Sequence, residues 1–391
     1  MLAISIWPLL LPVAAASGWW YAKRSEQKSK AAKAALLAPD YIVGLNYLLN
    51  EQHDKAIDIF LKLLTVDRHT VETHFALGSL FRRRGEVDRA IRIHQHLIAR
   101  PELSPTERAE AMLALGRDYL SAGVLDRAEH LLTEVAVLNV LQATSALWLL
   151  LDLYQQEKSW LKAIDTALKI ANRTGTSMQR IMSHHYCELS DLALRDEDLS
   201  LAKEYLERAR AIDESSVRAS LLQGKIAMLE QEFEVAIQHF QRIQWQAPEF
   251  LSEAIQPLGQ CYQALQAPNE LITYLHSIVT DYPRMSIVLY LAEQIRKQQN
   301  VDAAITFVGE FLQKKPSLRG LHRLIAWHLA SSYGVVQDKL KVLHDITQLL
   351  LEKKPIYRCG SCGFAGKQLH WHCPGCKEWE SVKPIHGLEG D

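Results

Sequence analysis

The sequence predicts an all-α chain of stacked helix pairs, with one membrane-spanning segment before them and a small metal-held module after them. Three observations carry this: a charge-free apolar opening, a small-residue pattern recurring about every 34 residues, and four cysteines crowded near the end. The 391 residues suffice for two or three ordinary domains or one elongated array. A formal net charge of −1 gives no electrostatic reason to expect nucleic acid as a partner. Of the six cysteines, Cys187 and Cys261 stand alone, whereas Cys359, Cys362, Cys373 and Cys376 cluster. That distribution suits one metal site and two buried thiols rather than a secreted disulfide scaffold. The chain therefore reads as an anchor (1–22), a basic juxtamembrane linker (23–38), repeats (39–317), a terminal helix pair (318–352) and a ribbon (353–391).

The anchor rests on length and on where charge falls. Residues 1–22 hold no charged side chain, and a helix needs roughly 20 such residues to cross the hydrocarbon core. Trp19, Trp20 and Tyr21 occupy the place of an interfacial aromatic belt, directly before Lys23, Arg24, Lys28, Lys30 and Lys33. Those cations stay on the cytoplasmic side, which places the body of the chain in the cytoplasm. Pro8 and Pro12 weaken the helix, but spanning helices tolerate proline. A cleaved signal peptide is the rival reading, with Ala14–Ala16 as its cleavage site. It calls for a basic region ahead of the apolar stretch, and here the charge follows it.

The middle repeats. A small residue, an aromatic or Leu three later and Ala twelve later recur as Gly44, Tyr47, Ala56; Gly78, Phe81, Ala90; and Gly116, Tyr119, Ala128. Weaker copies hold Leu151, Tyr154, Ala163, then Ser190 and Ala202, Gly224 and Ala236, Gly259, Tyr262 and Leu271, and Ala292 and Ala304. The second small positions are spaced by 34, 38, 35, 39, 34, 35 and 33 residues. This is the tetratricopeptide-repeat pattern: two helices per unit, small residues where they cross, and bulky ones (Leu45, Tyr47 and Phe60 in the first) filling the space beside them. Turns at Gly85-Glu86 and Ala122-Gly123 separate the helices. The two longer spacings mark insertions at Arg100–Pro105, a two-proline loop, and around Arg173–Ser177. One unit cannot bury its apolar face alone, so the units stack into a solenoid suited to holding an extended peptide or a helix. Arg82, Arg83, Arg84, Arg117 and Asp118 fall near turns or first helices, where a solvated helix face accounts for each of them. Residues 318–351, with Leu321, Leu324, Ile325 and Trp327 and then Leu343, Ile346, Leu349 and Leu350, read as a last helix pair that caps the array or receives the C-terminal module.

Two C-x-x-C knuckles, Cys359/Cys362 and Cys373/Cys376, are separated by ten residues, enough for a short hairpin between them. Four thiolates suit tetrahedral zinc and leave no open coordination position, so the site is expected to be structural. Iron fits the same thiolates as a rubredoxin-like centre and stays open as the alternative, but zinc is favoured because nothing nearby suggests electron transfer. His370 and His372 read as polar or packing residues. Tyr357, Phe364, Trp371 and Trp379 are too many rings for a ribbon of this size to hide, so it is expected to dock on the last helices through the stiff Lys353-Lys354-Pro355 junction. No Gly-rich phosphate loop, H-E-x-x-H or G-x-S-x-G motif is present, so catalysis is not expected. Residues 353–385 carry a modest positive excess but no basic stripe for phosphate contacts.

Three blocks sharpen the picture: Leu10–Ala16, Leu80–Gln95, and Trp371–Cys376 with Lys383-Pro384-Ile385. In these blocks, and in the order of anchor, repeats and ribbon, the chain resembles the LapB/YciM family of lipopolysaccharide assembly proteins of Gram-negative bacteria. The resemblance implies an all-α tetratricopeptide-repeat solenoid with an N-terminal transmembrane helix and a C-terminal rubredoxin-like zinc ribbon, held at the inner membrane. It implies a non-enzymatic adaptor that promotes degradation of the deacetylase LpxC by the membrane protease FtsH, restrained by a membrane partner of the LapC/YejM type. An assembly scaffold linking synthesis enzymes and export machinery is the alternative. Metal ligation carries over to Cys359, Cys362, Cys373 and Cys376; partner-binding residues do not. The oligomeric state, a homo-oligomer included, stays open.

Overall fold

In the computed structural model the described residues are 71–138 and 140–388, with 42–44, 46, 47, 49, 50, 52, 55, 56 and 59. The expected anchor (1–22) and basic linker (23–38) lie outside them, as do Leu45 and Phe60. Among the described residues no helix is long and apolar enough to cross a membrane. The chain divides into two compact units, with the boundary after Lys158.

The first unit holds α1 (Val71–Arg83), α2 (Val87–Ile98), α3 (Pro105–Ser121), α4 (Leu125–Ala136) and α5 (Gln142–Gln156). The second holds α6 (Trp160–Thr174), α7 (Gln179–Arg195), α8 (Leu199–Ile212), α9 (Val217–Leu229), α10 (Phe233–Gln246), α11 (Leu251–Ala264) and α12 (Pro268–Asp281). It continues with α13 (Met285–Gln298), α14 (Val301–Lys314), α15 (Leu318–Ser331) and α16 (Val335–Glu352), then β1 (Tyr357–Cys359), β2 (Ala365–Gly366) and β3 (Val382–Pro384). Within each unit the helices pack as the repeat requires. First helices lie on their own partners and on the first helix of the next pair: α1 on α3 and α3 on α5, then α7 on α9, α9 on α11, α11 on α13 and α13 on α15.

Two local devices make the pairs. One is the turn. Each of several first helices ends in a left-handed residue followed by an N–H that reaches back to a carbonyl of the last helical turn, which satisfies orphan carbonyls. Examples are Glu86 N to Phe81 O at 2.9 Å, Val124 N to Tyr119 O at 2.9 Å and Glu232 N to Ala227 O at 2.8 Å. Gly85 and Gly123 take the left-handed position first; Lys158, Glu197, Gln231 and Gln266 take it in later turns, at φ between 56° and 63°. The other device is the crossing. A Cβ on Gly78 would sit 2.5 Å from the His94 ring, one on Gly116 2.8 Å from Leu132, and one on Gly224 2.5 Å from the Phe240 ring. The missing side chain on one helix is the space its partner's bulky residue fills.

Two expectations change. Pro105 does not extend the loop but opens α3 at its first turn, where it has no intrahelical N–H to lose, behind a Ser104/Glu107 capping box. Asp118 is neither a groove residue nor a solvated one. It is fully buried, receives Arg82 Nη1 at 2.9 Å and contacts His94 Nδ1, so a carboxylate inside the first unit is neutralised by neighbours from α1 and α2. The short loop after α6 ends that helix with Gly175 in the left-handed conformation (φ 71°).

The main core of the second unit runs from α9 to α13 around Phe240, Phe250, Leu251, Leu258 and Leu291, and Leu369 and Trp371 from the ribbon pack against it. That contact places the site.

Candidate metal centre and its docking surface

Backbone geometry aims the sulfurs. β1 is the central strand of a three-stranded antiparallel sheet in the order β2-β1-β3, pairing Tyr357 with Gly366 and with Pro384. The hairpin thus closes over the first knuckle, correcting the expected hairpin between the knuckles: β2 pairs back on the strand that delivers Cys359. Each knuckle closes alike, with Gly363 N to Cys359 O at 3.1 Å and Lys377 N to Cys373 O at 2.9 Å. The closing residue is left-handed in both, Gly363 at φ 78° and Lys377 at φ 62°. Glycine meets that demand freely, and lysine meets it at a steric cost.

The four sulfurs all lie within 4.8 Å of one another. Cys359 and Cys376 sulfurs are 3.7 Å apart, as are those of Cys362 and Cys373. A tetrahedral ion with bonds of about 2.3 Å to sulfur needs edges of about 3.8 Å, so this donor set fits one tetrahedral thiolate-bound ion. Gly375 leaves room beside it, since a Cβ there would come within 3.1 Å of Cys362 Sγ. The Ser381 hydroxyl, 3.3 Å from Cys359 Sγ, and the Cys362 backbone N–H draw the Cys359 thiol down to about 6, toward the thiolate that binds metal. The two single cysteines differ: burial pushes Cys187 up to about 12 and Cys261 up to about 11, leaving both as inert thiols. His370 and His372 stay outside the quartet. His372 stacks on Trp379 at 4.5 Å with its Nε2 2.7 Å from Lys377 O, and His370 meets Phe364 edge-on.

The ribbon docks, but not where expected. Its rings sit on α6, α7 and the segment Pro248–Phe250 leading into α11, rather than on the α15–α16 pair. Trp379 stacks on His184 at 5.1 Å and meets Trp160 edge-on at 6.2 Å. Trp371 lies 5.3 Å from the Phe250 ring. Polar contacts secure the edges: Tyr357 Oη donates to Glu253 at 2.6 Å, Lys383 Nζ to Glu249 at 2.9 Å, and Arg180 Nε lies 3.4 Å from Glu380. The physical reason is partner chemistry. α16 presents exposed aliphatic side chains, whereas α6, α7 and the Pro248–Phe250 segment supply ring faces, and Glu249 of that segment and Glu253 of α11 are the acceptors that Lys383 and Tyr357 need. Near its C-terminal end the chain touches the last pair, where Leu318 N–H donates to Leu388 O at 3.0 Å.

Sequence reasoning missed the solenoid half of this surface. His184 and His185 are buried beneath Trp379. Burial holds His184 below the usual imidazole range and pushes His185 down to about 3, so both are neutral at pH 7. Next to them on the same helix, Glu188 and Asp191 receive Arg218 from α9 at 2.8 and 2.6 Å. The available signal was the adjacent His-His pair on a helix of mixed polar and apolar residues, too weak alone to indicate a docking site.

Comparison with known proteins agrees with this geometry. The rubredoxin metal binding domain profile matches residues 357–384, and tetratricopeptide-repeat profiles match residues 73–108 and 187–249. Lipopolysaccharide assembly protein B of Escherichia coli is 40% identical over 98% of this chain and 98% of its own length. The chain belongs to the lipopolysaccharide assembly protein B family. The Haemophilus influenzae member is 34% identical over 97% of this chain and 98% of its own length. Among solved structures, a tetratricopeptide repeat protein of Parabacteroides merdae aligns with 71% of the chain and 98% of its own at 13% identity and a TM-score of 0.31. In this family member the ribbon is part of the second unit's packing, continuous with the repeat core through Trp371.

Proposed function

We propose that this chain serves lipopolysaccharide assembly as a non-catalytic adaptor at the inner membrane, presenting the deacetylase LpxC to the protease FtsH, with a LapC/YejM-type membrane protein restraining it. The observation that carries the reading is likeness along the whole chain to proteins named for lipopolysaccharide assembly. The site's chemistry is compatible with it. Four cysteine ligands fill a tetrahedral ion's coordination, so zinc or iron here would hold the ribbon's shape and leave no position for a substrate. Docked through Trp371 and Trp379, the ribbon packs on the repeats of the second unit, and such a surface suits holding a protein partner. An N-terminal anchor would raise the adaptor's concentration near a membrane protease without any new contact.

The test is reconstitution. Full-length chain, FtsH and LpxC are combined in vesicles and the lifetime of LpxC is followed. The reading expects faster loss of LpxC with the chain present, and no acceleration by a Cys373→Ser chain. Unchanged LpxC lifetime, with the chain still bound to other assembly proteins, would turn the reading toward a scaffold without a role in proteolysis.

A further inference from the structure

We propose that the corner where α15, α16 and the ribbon meet binds an anionic membrane lipid, taking its phosphate and one acyl chain in two adjoining clefts. The first cleft, about 430 Å³, is lined by Leu312, Leu318, Leu321, Leu350 and Leu388, with Lys354 at its edge. The second, about 540 Å³, is lined by Arg319, Lys354 and Lys367, with Glu352 as the one carboxylate among its lining residues. Lys354 borders both, which makes the pair one amphipathic site.

The adjacency follows from helix geometry. Leu318 and Leu321 share one side of α15, and Arg319 lies about 100° round from Leu318 on the neighbouring side. Leu350 and Leu351 divide α16 in the same way, one lining each cleft. The apolar side is open to solvent, with Leu321 and Leu350 each 46% exposed and Leu388 63% exposed. It continues along α16 through Ile346 and Leu349, 51% and 57% exposed. The ribbon leaves this stripe uncovered because its rings are engaged on α6, α7 and α11.

Charge complementarity selects the occupant. Three cations stand at one mouth of an apolar slot, and Glu352 already accepts Gln348 Nε2 at 3.0 Å. Lys354 has an interaction of its own, but no salt bridge among the described residues engages Arg319 or Lys367, so these two are available to a phosphate. A free phosphate would leave the leucine cleft without a role, and an uncharged lipid would leave the cations without one. An acylated phosphate satisfies both, as basic residues beside an apolar helix face do at anionic bilayers.

The experiment uses the full chain in detergent with trace phosphatidylglycerol bearing a photoactivatable acyl chain, and crosslinked peptides are mapped by mass spectrometry. Label is expected within residues 312–354 and absent with a phosphatidylcholine probe of the same acyl chain. Each cation near an anionic lipid surface contributes a factor of roughly five, so the Arg319→Glu, Lys367→Glu pair lowers labelling by more than about tenfold. The Arg319→Lys, Lys367→Arg pair keeps it, which separates charge from misfolding. Equal labelling by both lipids, labelling that survives charge reversal, or label elsewhere only would overturn the proposal. Displacement of the probe by equimolar glycerol 3-phosphate would overturn it in favour of a free-phosphate site.

Discussion

Replacing Trp379 by Ala tests whether the ribbon is fastened by its rings. The indole is 7% exposed, stacked on His184 at 5.1 Å and on His372 at 4.5 Å, and edge-on to Trp160 and His185. Truncating a buried aromatic of this size costs about 3–5 kcal/mol. Part of that loss falls within the ribbon through His372. Contacts with Trp160, His184 and His185 lie across the docking surface, and such ring pairs contribute about 0.5–1.5 kcal/mol each beyond area burial. A docking loss of about 3 kcal/mol raises the undocked fraction roughly a hundredfold, and cleavage that samples that fraction accelerates equally. The assay is limited proteolysis between α16 and β1, with metal content measured on the same samples. The four cysteines are untouched, so metal is expected to stay while the junction becomes labile. Trp160→Ala, which leaves the ribbon unaltered, should act in the same direction, and the double variant should show a coupling of about 1 kcal/mol. A Trp379→Ala chain that keeps its metal and resists cleavage as well as the parent would refute the reasoning.

Other perturbations read other parts of the same structure. His185 is held at about 3 against an unfolded value near 6.5, so the unfolded state binds more protons below pH 6.5. Its contribution is present above that pH and is lost as pH falls toward 3. Between pH 7 and 5 urea unfolding should register a loss of about 2 kcal/mol that His185→Phe lacks, and identical pH slopes in the two chains would sink the assignment. Gly224→Ala places a Cβ 2.5 Å from the buried Phe240 ring and should cost about 1–3 kcal/mol in thermal unfolding, partly recovered by Phe240→Leu. Arg218→Met leaves Glu188 and Asp191, both partly exposed, without their cation; about 2 kcal/mol of stability should go, less when both acids are already amides. Chelation should unfold the ribbon and expose the α16–β1 junction, and visible absorption of the native chain identifies iron while its absence favours zinc. Unchanged protease resistance after complete metal removal would argue against a structural ion.

The repeat was legible because its physics is local. Gly78, Gly116 and Gly224 mark helix crossings at fixed spacing, and each needs only a bulky residue on its own partner helix. The knuckles were legible for the same reason: C-x-x-C sets the distance between two sulfurs within one turn. The pattern weakened where the crossing glycine gave way to Leu151 and Ser190, and the left-handed turn position passed from Gly85 and Gly123 to Lys158, Glu197, Gln231 and Gln266, residues that carry no turn signal. Asp118 was misjudged because its neutralising partners sit on two other helices.

The ribbon shows the division most sharply. Its cysteine spacing and its surplus of rings determined that it would hold a metal and seek a surface. Which surface was a tertiary decision, because Trp160, His184 and Phe250 meet Trp379 and Trp371 only after the repeats have stacked. A contact between residues some 200 positions apart leaves no periodicity in one chain to read. That choice left the leucine face of α16 exposed beside Arg319 and Lys367, the feature on which the lipid site rests.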